Sequence, residues 1–250
     1  MKALRVGLLF LACQLILNHE AFSQLAFPEA DIAASVAAGR TLYAEAFPVH
    51  PQLYNGPEYI DYSKGYHELT GHQFFLLPEK QAGSAFYNGH DFSNLQLAYD
   101  LVLNQVVISQ PQSPLMLRLV NENVRGFTIA GHRFTRLVAD SAKKSVIRTG
   151  FYEVLLDSTV QVLAKRTKRL QERLVQRFVD AEFISKDAVY LKKGGVYYAV
   201  GRKATAIRMF SDRSKEIQSY LKTHPLSFKK DKFEPSLVQL ASYYSGLPPR

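Results

Sequence analysis

Side chains capable of acid–base chemistry cluster in one strand-like stretch, which contains His90, Asp91, Asp100 and His132, with Glu153 beyond it. A histidine beside a carboxylate can act as a general base with an orienting partner. Adjacent strand residues point to opposite faces, so His90 and Asp91 can cooperate only at a turn. We expect Asp100 to be an outer-face or turn residue and Glu153 an outer-face residue. No G-x-S-x-G, H-E-x-x-H, P-loop or G-x-G-x-x-G motif accompanies these candidates.

The pattern Gly-His-x-Phe occurs three times, beginning at Gly71, Gly89 and Gly131. We interpret each glycine as a turn residue and each phenylalanine as the anchor of the strand that follows. If the three histidines met at one sheet edge, their imidazoles could bind a metal ion. Turns at different places in a sheet seldom converge, so the sequence predicts no metal and no cofactor.

A basic run covers residues 165–177, with six basic residues and one acidic residue. Lys165, Arg166, Lys168 and Arg169 are its candidate binding residues, for a phosphate, a glycan or a lipid head group. The alternative is a solvated connector on the surface. Apolar side chains recur every four residues after Arg169, a spacing that also fits an amphipathic helix.

The N-terminus has the composition of a secretory signal peptide. Lys2 and Arg5 precede the apolar run 6–17, and a small-x-small cleavage pattern ends at Ser23. The apolar run is too short for a stable membrane anchor. The sequence therefore predicts a signal peptide over residues 1–23, export to the periplasm or the exterior, and no transmembrane segment after cleavage. Nucleic acid is not an expected partner of an exported protein.

The single cysteine, Cys13, lies inside the predicted leader. A lipid-attachment box at Cys13 is the less favoured interpretation, because Phe10 and Leu11 suit the preceding positions poorly. After cleavage the chain has no cysteine, which excludes disulfides and thiol chemistry. Hydrophobic residues make up 47% of the chain, enough for a packed core, and the net charge of +9 allows contact with polyanions.

Short runs of alternating apolar residues separated by turn residues predict an α+β fold with a mostly antiparallel, twisted or partly rolled sheet. We assign residues 24–71 to an N-terminal helix, near 29–46, and a Tyr/Pro-rich loop. Residues 72–204 form the β body, with a first strand at 72–77, and 205–250 form a helical pair. The predicted core consists of apolar strand residues: Leu97, Tyr99, Val107, Leu117, Leu119, Phe127, Ile129, Phe134, Phe151, Val154, Val160 and Val162.

The pair Asn88-Gly89 predicts a type I′ hairpin, because both central residues must take positive φ, and Gly194-Gly195 supplies the turn of a second predicted hairpin. The tyrosines of the Tyr/Pro-rich loop have two interpretations. They could form a carbohydrate-stacking surface, or their rings could pin a long loop to the core, which we favour.

Several longer stretches carry a family resemblance: LYNGPEYIDY, YNGHDFSNLQLAYDLVLNQVVI, TGFYEVLLDSTVQVLAKRTKR, GGVYYAV, and the tail from FSDRSKEIQSYLK to LVQLASYY. In these stretches the chain resembles a family of exported Bacteroidota proteins with no assigned activity. The resemblance covers most of the chain after the leader. It implies an envelope or secreted setting, and no functional residue carries over from it.

We therefore expect an exported, non-enzymatic envelope protein, a binding or structural module whose partner is another envelope protein or a cell-surface glycan. The alternatives are a hydrolase of an envelope polymer and a basic surface binder of anionic glycan or lipid. A groove lined by two carboxylates, or by His90 and His132, would favour the hydrolase. An exposed aromatic or basic patch would favour the binding module.

Overall fold

A computed structural model describes residues 32, 34–39, 51–110, 113–140 and 145–248, without the side chain of residue 230. The chain divides into two units, Met1–Pro48 and Val49–Arg250. In the first unit, residues 34–39 are helical, within the predicted N-terminal helix. The rest of that helix and the predicted signal peptide lie outside the described residues.

The second unit is built on a ten-stranded antiparallel sheet with strand order β13-β12-β9-β8-β7-β6-β2-β3-β4-β5. Its strands are β2 (Gln81–Tyr87), β3 (His90–Asp100), β4 (Gln105–Ser109), β5 (Met116–Arg118), β6 (Val124–Ile129), β7 (His132–Leu137), β8 (Gly150–Asp157), β9 (Gln161–Lys165), β12 (Ala188–Lys193) and β13 (Val196–Ala199). A smaller sheet has the order β1-β11-β10 and consists of β1 (Leu69–Thr70), β10 (Lys168–Val175) and β11 (Phe178–Ser185). The predicted α+β class with a mostly antiparallel, twisted sheet is confirmed, and the sheet is not closed.

The predicted turn residues adopt the backbone that the hairpins require. Asn88 and Gly89 have φ values of 50° and 81°, and Gly194 and Gly195 have 56° and 79°. Both pairs lie in the left-handed region, as a type I′ turn demands. The three Gly-His-x-Phe glycines likewise have positive φ, and the phenylalanines that follow them are buried. The interpretation as a turn followed by a strand anchor is therefore confirmed for Gly89 and Gly131, whose phenylalanines lie on β3 and β7, and is wrong for Gly71, because residues 72–77 form bends.

One strand prediction and one helix prediction are wrong. Residues 72–77 form bends, and their only ladder contact is a single bridge between Phe74 and Asp100. The basic run continues as β10 and not as a helix. Its apolar spacing fits both structures, and pairing with β11 over the whole of Lys168–Val175 decides for the strand. The hairpin closes at Gln176, which takes a φ of 56°.

The main core lies on one face of the large sheet, here called the inner face. Phe127 stacks on Phe134 at 4.8 Å between ring centroids, and Tyr99 contacts Phe134 at 5.2 Å and Phe151 at 6.0 Å. Because β3 and β8 are separated by three strands in the sheet, rings of both strands can meet only if the sheet curls around them. All the predicted core residues are buried except Val154, which is half-buried.

The C-terminal segment holds three α-helices where a pair was predicted: α1 (Lys203–Arg208), α2 (Ser214–Thr223) and α3 (Phe233–Ser245). Apolar residues of these helices form a second core with Val162 and Leu191 of the sheet. The short α1 was missed because it continues directly from the hairpin and offers a single buried residue, Ala206. Within the described residues, no helix has the length and apolarity needed to cross a membrane.

The Tyr/Pro-rich loop packs against the opposite, outer face of β3 and β4. Tyr59 is buried and lies 6.0 Å from the ring of Phe74. Both rings join Ala98 and Val107 in a small apolar cluster. The Tyr59 ring thus attaches the loop to the sheet, as we expected.

Candidate functional site

The predicted pair His90 and Asp91 is split by the sheet. Both residues lie on β3, where Asp91 pairs with Phe86 on the outer face. His90 is exposed, and its ring contacts Phe92 at 6.4 Å between centroids. Since adjacent strand residues point to opposite faces, these two side chains do not share a site.

Asp100 is a structural turn residue at the end of β3. Its buried carboxylate accepts hydrogen bonds from the Tyr59 hydroxyl at 2.8 Å and from the backbone N–H groups of Val102 at 2.8 Å and Leu103 at 2.9 Å. Burial raises the pKa of Asp100 above its usual range. The predicted turn role is thus correct. These donors occupy the carboxylate and hold the β3–β4 turn.

His132 and Glu153 form the closest acid–base pair among the predicted residues, with Nδ1 of His132 at 2.5 Å from Oε1 of Glu153. Glu153 was expected on the outer face. It lies instead on the inner face beside Phe134, with a side chain only 4% exposed. Its other oxygen accepts from Nε of Arg166 at 2.6 Å. Glu153 therefore bridges a half-exposed histidine and a half-buried arginine.

Arg166 is the centre of a partly buried ionic network, with its side chain 15% exposed. Its guanidinium donates to both carboxylate oxygens of Glu234 at 2.7 and 2.8 Å and to Asp187 at 2.8 Å, besides Glu153. Burial by itself lowers the pKa of Arg166, but the three carboxylates outweigh it and raise the pKa. The network joins β8, the segment before β12 and α3. A side chain predicted to bind an external anion thus binds internal ones.

Lys168 is also directed inward, and Arg169 is not. Nζ of Lys168 donates to the backbone carbonyls of His72 at 2.6 Å and Phe74 at 2.8 Å. Burial lowers the pKa of Lys168. Arg169 is exposed and donates to Gln171 at 2.7 Å. The four predicted binding residues therefore do not form one exposed basic surface.

Lys165 lies between the β3–β4 turn and β8. Its Nζ donates to Oδ1 of Asn104 at 2.8 Å and to the carbonyl of Phe151 at 3.0 Å. It also lies 5.0 Å from the centroid of the Tyr152 ring. Burial lowers the pKa of Lys165 to about 8. This amine links the β3–β4 turn to β8 across the curled sheet. Its burial disfavours the charged form.

The Lys165 pKa predicts a rise in stability with pH. The lowered folded-state value means that the folded chain binds fewer protons than the unfolded chain between pH about 8 and 10.5, so the free energy of unfolding rises with pH there. We expect Lys165→Met to reduce this rise in urea unfolding measured from pH about 8 to 9, below the range where most unfolded tyrosines ionise.

An exposed lysine, Lys222, supplies the matched control for Lys165. Lys222→Met should leave the slope of stability against pH unchanged. Equal slopes for the wild type and Lys165→Met would contradict the assignment.

The outer face carries an open groove of about 520 Å³. Its lining comes from the seven neighbouring strands from β2 to β13, with Asp91 from β3, and it includes the core residues Phe127 and Phe134. The lining combines hydroxyl, amide, aromatic and charged side chains: Ser84, Phe86, Arg125, Thr128, Arg133, Thr135, Asp157, Gln161, Lys192 and Tyr197, over apolar Leu137, Val154 and Leu163. We call this feature the outer groove.

An aromatic ring with a cation above it lies on strands at each edge of the outer groove. The guanidinium of Arg125 lies 5.6 Å from the centroid of Phe86 on the β2 side. The ammonium of Lys192 lies 5.3 Å from the centroid of Tyr197 on the β13 side. Such pairs present a flat apolar ring next to a positive charge.

Two carboxylates, those of Asp91 and Asp157, line the outer groove, and such a pair would favour a hydrolase. Asp157 accepts hydrogen bonds from Gln161 and Arg133, both at 2.6 Å, and these partners lower its pKa. Arg133 balances the charge of Asp157. The remaining charged residues of the lining are one carboxylate, Asp91, and two cations, Arg125 and Lys192. The net charge of the groove is therefore positive.

Sequence reasoning missed the outer groove. Its residues are the polar members of the alternating strands, which single-strand patterns describe only as facing away from the core. Asp91 was identified, but as a partner of His90. A signal was present in the threonines and arginines that alternate with core phenylalanines in β6 and β7.

Metal ligation and similarity to known proteins add no further assignment. Among the residues that the structure describes, no group of three or more His, Cys, Asp or Glu side chains could hold a metal ion. Comparisons with protein-family models, with curated proteins and with solved structures found no match. The interpretation of the site therefore depends on its geometry.

Proposed function

We propose that this chain is an exported, non-enzymatic envelope protein that binds an extended ligand in the outer groove, most suitably a cell-surface glycan with acidic groups. The observation that carries the proposal is the groove itself, an open, polar and aromatic depression across seven strands. Pockets of mixed apolar floor and placed polar groups are the usual form of a binding site.

The dimensions of the groove suit a chain molecule. Seven strands about 4.8 Å apart cover roughly 29 Å, the length of several sugar units. The rings of Phe86 and Tyr197 offer stacking surfaces for apolar sugar faces. Hydroxyl groups such as those of Thr128 and Thr135 offer hydrogen bonds. Arg125 and Lys192 supply the attraction for carboxylate or phosphate groups on the ligand.

The arrangement of the catalytic candidates supports binding over catalysis. His90 and Asp91 face opposite sides of β3, and Asp100 is occupied by its turn. His132 pairs with Glu153 on the inner face, away from the outer groove. The general base and the groove carboxylates are therefore on different faces of the sheet.

The proposal is tested by affinity retention of the exported chain on immobilised surface polysaccharide from its native cells. We expect the wild type to be retained and the double variant Phe86→Ala/Tyr197→Ala to bind about tenfold or more weakly, since each stacked ring contributes on the order of 1 kcal/mol. Leu103→Ala changes a half-exposed residue outside the groove lining and should bind as the wild type. Equal retention of all three proteins would contradict the proposal.

A hydrolase remains the second candidate function because Asp91 and Asp157 both line the outer groove. Paired carboxylates are the machinery of glycoside hydrolysis. The test is whether the chain releases reducing ends from the retained polysaccharide. If it does, and if Asp91→Asn abolishes the release, the function is catalysis and not binding alone. Capture of one envelope protein through the groove would instead make the ligand a protein.

A further inference from the structure

The β10–β11 hairpin ends in an exposed apolar tip. Leu174 is 73% exposed, Val175 41%, Phe178 54% and Val179 39%. Most of the chain's other apolar strand residues are buried, so this is an unusual place to leave four of them uncovered. We call residues 173–179 the hairpin tip.

The hairpin tip is apolar on both faces. Leu174 pairs with Val179 and therefore shares one face with it, while Val175 pairs with Phe178 on the other face. A flat protein partner or a groove would cover one face and leave the other in water. A medium that surrounds the tip covers both, and the interfacial region of a lipid bilayer is such a medium.

The charges of the hairpin tip complement anionic lipid. Arg173 and Arg177 flank the apolar residues, and residues 173–179 contain no acidic residue. Both arginines are exposed, and neither forms an ion pair within the described part of the chain. Asp180, opposite Arg173 in the ladder, contacts His67 at 3.3 Å instead. Guanidinium groups bind phosphate oxygens in bidentate geometry.

The length of the tip matches the depth of the interface. The tip has two rows of paired residues and the turn at Gln176 and Arg177, and at about 3.4 Å per residue these three levels extend roughly 10 Å. Amphipathic elements that lie in the bilayer interface bury their apolar side chains to roughly 5–10 Å. The long side chain of Arg177 in the turn can extend back to the phosphates while its stem lies among apolar groups.

The base of the hairpin is anchored to the rest of the unit. The Tyr66 hydroxyl donates to Glu172 at 2.5 Å, and the N–H of His67 donates to the carbonyl of Val179 at 3.0 Å. The His67 ring stacks on Phe178 at 4.4 Å between centroids. The tip is thus presented in a fixed form, and little ordering is required when it binds.

From these contacts we propose that the hairpin tip inserts into the surface of an anionic membrane, with Leu174, Val175, Phe178 and Val179 in the interface and Arg173 and Arg177 on lipid phosphates. The tip is separate from the outer groove, since none of its residues lines the groove. Membrane contact would hold the protein at the surface while the groove stays open to its ligand.

Co-sedimentation with vesicles tests the proposal. We expect the full exported chain to bind vesicles of phosphatidylcholine mixed with phosphatidylglycerol and to bind pure phosphatidylcholine much more weakly. Leu174→Ser/Phe178→Ser should weaken binding by about tenfold or more, because it removes the two most exposed apolar groups of the tip. Arg177→Gln should weaken binding to the anionic vesicles and reduce its salt dependence.

The β12–β13 hairpin supplies the matched control. Val196 is 52% exposed next to the Gly194-Gly195 turn, so Val196→Ser makes the same chemical change at another hairpin end and should bind as the wild type. Absence of wild-type binding, equal binding to both vesicle types, or unchanged binding by the tip variant would overturn the proposal. The Phe86→Ala/Tyr197→Ala variant should keep vesicle binding, which separates a failure here from a failure of the groove.

Discussion

Replacing Arg166 by methionine is expected to lower the free energy of unfolding by about 3–5 kcal/mol, the usual result of removing one partner from a buried ionic network. Methionine retains much of the volume but leaves three carboxylates without their shared cation. Glu153 is the most affected, because its side chain is 4% exposed and water cannot replace the guanidinium. Glu234 and Asp187 would also repel one another across the vacated position.

Urea unfolding at neutral pH measures this loss, with Arg169→Met as the control. Arg169 is a neighbouring arginine whose exposed guanidinium contacts Gln171, so its replacement should change stability by less than about 0.5 kcal/mol. Adding Glu153→Gln to Arg166→Met should recover part of the loss by removing the buried charge. An Arg166→Met variant as stable as Arg169→Met would show that the network contributes little.

Much of the sheet could be predicted from local pattern. The alternation of apolar residues identified most strands and their buried faces, because side chains of a strand alternate strictly. The Asn88-Gly89 and Gly194-Gly195 pairs located hairpins through their backbone requirement alone. These signals depend on residues close together in the chain.

The roles of the basic residues could not be predicted, because their partners are distant in sequence. Arg166 meets Glu234 across 68 residues and Lys168 meets the carbonyl of His72 across 96. Charge and spacing describe such residues as a surface run, and only the fold shows that Lys165, Arg166 and Lys168 face inward. The helix prediction after Arg169 was wrong for the same reason. The apolar spacing fits both a helix and a strand, and pairing with β11 decides for the strand.

The outer groove and the hairpin tip were hidden by topology. The groove collects between one and four residues from each of its strands, and the order of these strands in the sheet is not readable from the chain. The tip residues Leu174 and Phe178 have the composition of core residues. Their exposure follows from the position of the β10–β11 hairpin, because among the described residues the two-residue β1 is the only other strand of this sheet.

Replacing Phe134 by alanine is expected to destabilise the chain by about 3–5 kcal/mol through the cavity that it leaves. The ring is 1% exposed. It stacks on Phe127 at 4.8 Å and meets Tyr99 at 5.2 Å and Phe75 at 5.1 Å, all between centroids. These partners come from β6, β3 and the loop before β2, so the ring joins both sides of the curl and few neighbours can move in to fill the space.

The matched variant is Phe86→Ala, on the outer face of the same sheet, where the ring is half-buried and lines the groove. It should cost under about 1 kcal/mol and yet lose ligand retention. Urea unfolding of both variants with circular dichroism separates the roles, and Phe134→Leu, which refills part of the cavity, should fall between wild type and Phe134→Ala. Similar losses at Phe86 and Phe134 would mean that both faces are core, and the outer groove would then be a packing feature.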